Sequence, residues 1–248
     1  MAKSYLMART QLFPRRWSGA SEGKWNRQAN IVIDDSQGIE TNGSELIDAL
    51  DGDDLIRGKR RRGAGLLISR DPKRANLQLG RGRDAVTGIS NQGDGIENHG
   101  YIYTGRGNDL VTGSGTDNAI RNQGFIYTQG GDDVVNVIDG GIRGKNRFVS
   151  LGAGKDTFIG FSNGRHTVYG DAGKDLLLLG EGKYDINRRS SRSTRIKQLD
   201  NNDNNRLDLI RFEQIGSING NRQDIFNIND EGSSVITINK SGEITFED

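Results

Sequence analysis

The sequence predicts an all-β fold: a right-handed parallel β-solenoid (β-roll or β-helix) closed by a small antiparallel β cap at the C-terminus. Three observations carry this reading. A glycine-rich turn ending in aspartate recurs six times at a spacing of roughly one solenoid coil. Between the turns, apolar residues alternate with polar ones at the strand period of two, as in Ile96 and Asn98 or Ile120 and Asn122. The 248 residues include 36 glycines, too many for helix interiors, and only 32% hydrophobic residues, which suits a thin elongated core.

Aligned on the aspartate, the turns read LDGDDLI at Asp54, GRGRDAV at Asp84, GRGNDLV at Asp109, QGGDDVV at Asp133, GAGKDTF at Asp156 and DAGKDLL at Asp175, with spacings of 30, 25, 24, 23 and 19 residues. A second phrase, Ile-x-Asn-x-Gly, interleaves with them in GISNQG, GIENHG and AIRNQG, and the last two lead into YIYT and FIYT. Two or three short strands per unit bury no hydrophobic face alone, but stacked coils about 4.8 Å apart bury one continuously. Asn98 and Asn122 are then stacked amides, with Asn91 on another corner. At the strand period the residue two after each aspartate, Ile56, Val86, Val111, Val135, Phe158 or Leu177, faces away from the residue before it; with the first set inward, Leu55, Leu110, Val134 and Leu176 form an outward apolar row, either covered by the terminal segments or offered to a partner.

The expected organisation is an N-terminal extension over 1–37, repeats over 38–182, a basic linker over 183–198 and a C-terminal β cap over 199–248. The longest spacing contains GKRRRGAGLLISRDPKRAN, so 58–76 is read as a basic insertion loop between coils. NRRSSRSTRIK at 187–197 is serine-rich, as linkers are. Beyond it, an Asn/Asp cluster containing Asp200 and Asp203 marks a turn, and SVITINKSGEITFED alternates like a hairpin. Such a cap protects the exposed end of a stack from edge-to-edge pairing.

The sixfold turn resembles the Gly-Gly-x-Gly-x-Asp-x-U-x nonapeptide of the repeats-in-toxin, or haemolysin-type calcium-binding, family. The resemblance implies calcium held between successive turns by aspartate carboxylates and glycine-turn carbonyls. Carried over, the metal-site residues are Asp84 with Gly80 and Gly82, Asp109 with Gly105 and Gly107, Asp133 with Gly131, and Asp156 with Gly152 and Gly154. Asp54 and Asp175 keep only the nearer glycine, Gly52 and Gly173. The family's turns recur every nine residues on two edges; here they recur at about 24, so one edge at most carries metal. The resemblance also implies export to the cell surface or extracellular space without a cleaved leader, in line with an N-terminus that lacks an apolar signal core. The alternative is a subunit of a cytoplasmic assembly.

A column of aspartates needs neutralising, since like charges about 5 Å apart repel by on the order of 1 kcal/mol per contact even in water. Calcium, a hard cation with oxygen ligands, is one means. Arg81, Arg83, Arg106, Lys155 and Lys174, inside or just before the turns, are another. The formal net charge is +1, with 34 basic and 33 acidic residues, and no cysteine permits a disulfide or thiolate site. No stretch is long and apolar enough to span a membrane. The basic segments suit protein partners or an anionic surface polysaccharide, while the lack of aromatics interleaved with the arginines argues against nucleic acid. His99 and His166 read as surface or turn residues. Arg143, Lys145 and Arg147 near Asp139 are the basic cluster that a polysaccharide-cleaving site would recruit, and nothing in the sequence fixes them together. The expected function is a non-enzymatic, calcium-stabilised scaffold or adhesion protein, or else a metal-free interaction subunit.

Overall fold

The computed structural model describes residues 31–41, 47–69, 77–144, 147–199, 205–219, 224–228 and 233–247. Parallel strands stack in register along three faces, as they do in a β-solenoid. The first sheet contains β1 (Ile31–Asp34), β4 (Leu55–Arg60), β7 (Ala85–Ser90), β10 (Leu110–Gly115), β13 (Val134–Asp139), β17 (Thr157–Ile159), β20 (Leu176–Leu179) and β24 (Gln214–Ser217), all parallel, then antiparallel β25 (Ile225–Asn227). The second contains β2 (Ile39–Thr41), β5 (Leu66–Ile68), β8 (Ile96–Asn98), β11 (Ile120–Asn122) and β14 (Ile142–Arg143).

The third sheet stacks β3 (Ile47–Asp48), β6 (Leu77–Gln78), β9 (Tyr101–Tyr103), β12 (Phe125–Tyr127), β15 (Phe148–Ser150), β18 (Arg165–Tyr169) and β23 (Arg206–Ile210) in parallel. It continues antiparallel through β22 (Ser193–Gln198), β21 (Gly182–Ser190), β26 (Ser234–Ile238) and β27 (Ile244–Glu247). The chain passes from first to second to third sheet, then round a glycine corner into the next coil. At that corner β16 (Ala153–Gly154) pairs with β19 (Ala172–Gly173), continuing single bridges from Asp51 through Arg81 and Arg106 to Gly130. The second sheet ends at β14, apart from one bridge from Ile142 to Ser162. Later coils therefore close on two sheets, which is why the aspartate spacing shrinks to 19.

Each sheet contributes one principal inward residue per coil. Val32, Ile56, Val86, Val111, Val135, Phe158, Leu177 and Ile215 stand in register on the first sheet, and Ile102, Ile126, Val149, Val168 and Leu209 on the third. All are buried. Each such side chain contributes roughly 1.5–3 kcal/mol by leaving water, so a modest apolar fraction suffices when it is concentrated on the axis. Asn98 and Asn122 are fully buried, and Asn98 Nδ2 donates to Asn122 Oδ1 at 2.9 Å, the expected amide stack. Asn91 lies at an exposed turn.

Three expected boundaries change. Parallel pairing begins with β1, before residue 38, and extends to β24, beyond residue 182. Residues 58–69 are not an insertion loop: Gly58 to Arg60 belong to β4, and Leu66 and Ile68 point into the core from β5. Dense positive charge disguised a regular coil whose cations simply face outward. Residues 183–198 are not a linker but most of the β21–β22 hairpin, with Tyr184, Ile186 and Ile196 buried between the charged positions. The remainder of the expected loop, 70–76, together with Asp200 and Asp203, lies outside the described residues.

The corner glycines test this geometry. Gly107 has φ +139°, and a Cβ there would collide with the carbonyl of Gly82 one coil below. Gly130 has neither restriction, its nearest neighbour being Ala153 O at 3.8 Å. Gly107→Ala is expected to destabilise the fold by about 2 kcal/mol or more, lowering the melting temperature by roughly 4–8 °C. Gly130→Ala should leave it within about a degree or two, as for an unstrained surface change. Thermal melts by circular dichroism read both.

Candidate functional site

The six repeat aspartates do stack on one corner, but they face inward. Asp54, Asp84, Asp109, Asp133, Asp156 and Asp175 are each at most 2% exposed. The corner that aims them has a left-handed turn four residues before the aspartate and another two before it. Gly80, Gly105 and Gly152 take the first, and in the degraded copies Leu50, Gln129 and Asp171 adopt the same positive φ without being glycine. The second position is glycine in all six, with φ from +134° to +156°.

A continuous relay results. Asp54 N donates to Asp84 Oδ1 (2.8 Å), Asp84 N to Asp109 Oδ1 (2.9 Å), Asp109 N to Asp133 Oδ1 (2.8 Å), Asp133 N to Asp156 Oδ1 (2.8 Å), and Asp156 N to Asp175 Oδ1 (3.0 Å). Asp175 N donates to Glu213 Oε2 at 2.8 Å, so a glutamate terminates the column. The aspartate carbonyls also reach across, accepting from Ala85, Leu110, Val134, Thr157, Leu176 and Gln214 at the start of the next coil's strand. Every coil is thus clamped to the next by one side-chain and one main-chain bond.

The second carboxyl oxygen, Oδ2, of Asp84, Asp156 and Asp175 is buried without a hydrogen-bond partner, while the hydroxyls of Thr104 and Thr128 lie beside the carboxyls of Asp109 and Asp133. Among the described residues no ion pair reaches a column aspartate, so the neighbouring arginines and lysines do not neutralise it through direct contact. Burial disfavours the charged carboxylate, and the adjacent acids add to the effect. Asp84 is pushed up to about 7, Asp133 to about 8, Asp156 to about 6 and Asp175 to about 7, and Asp109 is also raised. Protons therefore discharge much of the column near neutrality.

The oxygens that the toxin-repeat resemblance assigns to calcium are largely engaged. Oδ1 of each predicted ligand aspartate, Asp84, Asp109, Asp133 and Asp156, accepts a backbone N–H. The carbonyls of Gly80, Gly105, Gly152 and Gly154 accept from Arg106, Gly130, Ala172 and Lys174 in adjacent coils. The N–H groups of Gly82, Gly107 and Gly131 enter the same corner ladder. Among the described residues no group of three or more acidic or histidine side chains converges on one point. Calcium held through Oδ1 or these carbonyls would compete with the relay, and the oxygens that the relay leaves over are Oδ2.

Elsewhere the sequence reading divides. His99 lies in a turn and contacts Glu97 at 2.9 Å. His166 is not at the surface: it points inward from β18, 3% exposed, with Nδ1 3.2 Å from Gly144 O. Burial drives its pKa down to about 4, leaving it neutral at ordinary pH. On the outer face of the third sheet, Tyr103 and Tyr127 stack at 4.9 Å and 7°, and Tyr101 and Phe125 at 5.3 Å and 25°. The outward row on the first sheet is present, with Leu110 39% exposed. Part of its expected cover, residues 1–30, lies outside the described residues.

No protein-family model matches the chain, and no curated protein matches it either.

Glu213 was missed because its turn lacks the glycine phrase and stands 38 residues from Asp175. A signal was nevertheless present: Glu213-Gln214-Ile215 repeats the order acid, outward residue, inward apolar residue of Asp175-Leu176-Leu177.

The column gives stability an unusual pH dependence. An acid whose folded pKa exceeds its unfolded value near 3.8 binds protons on folding. Its contribution is full below about pH 4 and is lost as pH rises through 6 to 8. His166 acts oppositely, with its contribution full above about 6.5 and lost as pH falls through 4. Five aspartates outweigh one histidine, so urea titrations should find the protein more stable at pH 5.5 than at pH 8.5. Asp133→Asn keeps an acceptor for Asp109 N–H without the charge and should flatten that slope. Asp133→Ala orphans the N–H and should cost about 1–3 kcal/mol at either pH.

Proposed function

We propose that the chain is a non-enzymatic interaction scaffold: a right-handed β-solenoid, closed by the antiparallel C-terminal strands, that holds its coils together without metal and offers its outer faces to partners. The observation that carries this reading is the aspartate relay. From Asp84 to Asp175 each column carboxyl gives one oxygen to the backbone of the neighbouring coil, and burial raises the carboxyl's affinity for a proton. Residues so committed are unavailable for acid–base chemistry on a substrate. The two histidines offer little more, since one is sealed in the core and the other is tied to Glu97.

Partner contact is assigned to the outside. The apolar row of Leu55, Leu110, Val134 and Leu176 suits a protein partner, and the arginines outside the second sheet suit anions. Calcium stabilisation is the competing reading, carried by the toxin-repeat resemblance. Thermal melts in millimolar calcium and in excess chelator separate the two. An occupied site at 100 times its dissociation constant adds about 2.7 kcal/mol, or roughly 5–10 °C for a chain of this size. The metal-free scaffold should melt within about a degree under both conditions, by the same scale. A calcium-dependent rise of several degrees would overturn it.

A further inference from the structure

The outer side of the second sheet carries a groove unlike the rest of the surface. Its volume is about 770 Å³, and it is lined by Asp94, Asp117, Asn118, Arg121, Gln123, Arg143, Gly144 and Arg147. That volume falls in the range of ligand sites, yet no apolar side chain lines it. An occupant must therefore be polar over its whole surface, rich in hydroxyls or charge.

The charges define it further. Arg121 and Arg143 are register partners on β11 and β14, one coil apart. Like charges placed directly opposite on a sheet repel, so such a pair needs counter-charge. Arg121 receives it, with Nη1 3.3 Å from Glu97 Oε1 and 3.8 Å from Asp94 Oδ2. Asp94 is in turn fixed by Asn118 Nδ2 at 2.6 Å. Among the described residues Arg143 has no acidic partner. Arg147 is held rigidly, its Nε donating to Gln123 O at 2.9 Å and its guanidinium 5.0 Å above the Phe125 ring, and it too lacks an acidic partner. One positioned guanidinium, Arg147, and one exposed guanidinium, Arg143, thus line the groove without an acidic partner, beside a third whose orientation is fixed by carboxylates.

We propose that this groove binds a polyuronate, an acidic polysaccharide bearing a carboxylate on each sugar. Guanidiniums pair with carboxylates through two parallel N–H donors. Arg121 and Arg143 stand one coil apart, about 4.8 Å, so the groove offers a short row of cations to a chain that carries many carboxylates. Asp117, exposed at the rim, supplies an acceptor for sugar hydroxyls. A nucleic acid fits less well, because the adjacent aromatic rings stack on one another and leave no platform for splayed bases. The proposal deepens the scaffold reading, on which it rests for the groove to retain the polymer rather than cleave it.

The test is isothermal titration of the intact protein with oligogalacturonate, in chelator so that calcium bridges nothing, alongside the fully methyl-esterified oligomer and a single-stranded RNA. The acidic oligomer should bind and the esterified one should not. Arg143→Gln combined with Arg147→Gln should weaken binding at least about tenfold, since each charge-assisted bond contributes that much. Arg81→Gln with Arg106→Gln, on the opposite corner, should leave it unchanged. Arg143→Gln alone is an exposed change and covers the event that the double variant unfolds. Equal binding of the esterified oligomer or the RNA, or undiminished binding by a folded Arg143→Gln, Arg147→Gln protein, would overturn the proposal. Cleavage of the oligomer would sink the non-enzymatic reading while leaving binding intact, and a failure to bind would leave the calcium melts unaffected.

Discussion

The stack depends on a side-chain oxygen reaching one coil back to a buried backbone N–H. At the corner the main-chain ladder follows the chain round both left-handed turns and then lapses for two residues, as at Arg83 and Asp84, whose N–H groups go to side-chain oxygens before the ladder resumes at Ala85. The aspartate N–H then faces inward with no carbonyl within reach, and a buried orphan donor costs more than a typical hydrogen bond contributes. The carboxyl of the next coil fills that need, six times in succession when Glu213 is counted. Asparagine would offer the same oxygen. Aspartate offers it with a charge that burial opposes, so the column gains protons with its hydrogen bonds, and the fold becomes linked to pH.

Once the corner is pinned, much else is dictated. A relay that joins equivalent residues in successive coils fixes register, and register places Val86 on Ile56 and Ile126 on Ile102 rather than their outward neighbours. A slip of one residue would turn every inward side chain to solvent. The glycine two before each aspartate follows from the same constraint, because carbonyls of the coil below occupy the space of a Cβ. The glycine four before it is under a weaker demand. Leu50, Gln129 and Asp171 hold its conformation at a conformational cost that the clamped coils on either side outweigh.

How much of this was legible depended on whether a residue's role showed in its type. The solenoid was legible because glycine and aspartate mark the corner and because Ile-x-Asn recurs on β8 and β11. The inward turn of the aspartates was not, since the same phrase describes a metal-binding loop and a buried acceptor; the difference lies in the path of the backbone. Charge misled twice. Residues 58–69 and 183–198 looked solvated, yet Leu66, Ile68, Tyr184, Ile186 and Ile196 alternate with the cations and bury themselves. His166 was hidden likewise, between Arg165 and Thr167 on a strand too short for its period to stand out.

The division between buried and outward columns also explains how an interior crowded with acids coexists with a surface of mixed charge. Inward positions are held by the relay, and among the described residues no basic side chain pairs with it. Outward positions carry no such restriction, and their charges are repeated at coil spacing whatever their sign. Where a carboxylate stands beside a guanidinium, as Asp208 does beside Arg195 and Arg206, the surface satisfies itself. Where two guanidiniums follow each other, as on β11 and β14, the repeat creates a field that the chain itself balances at Arg121 alone. An anionic partner would complete it, because Arg143 and Arg147 have no acidic neighbour among the described residues.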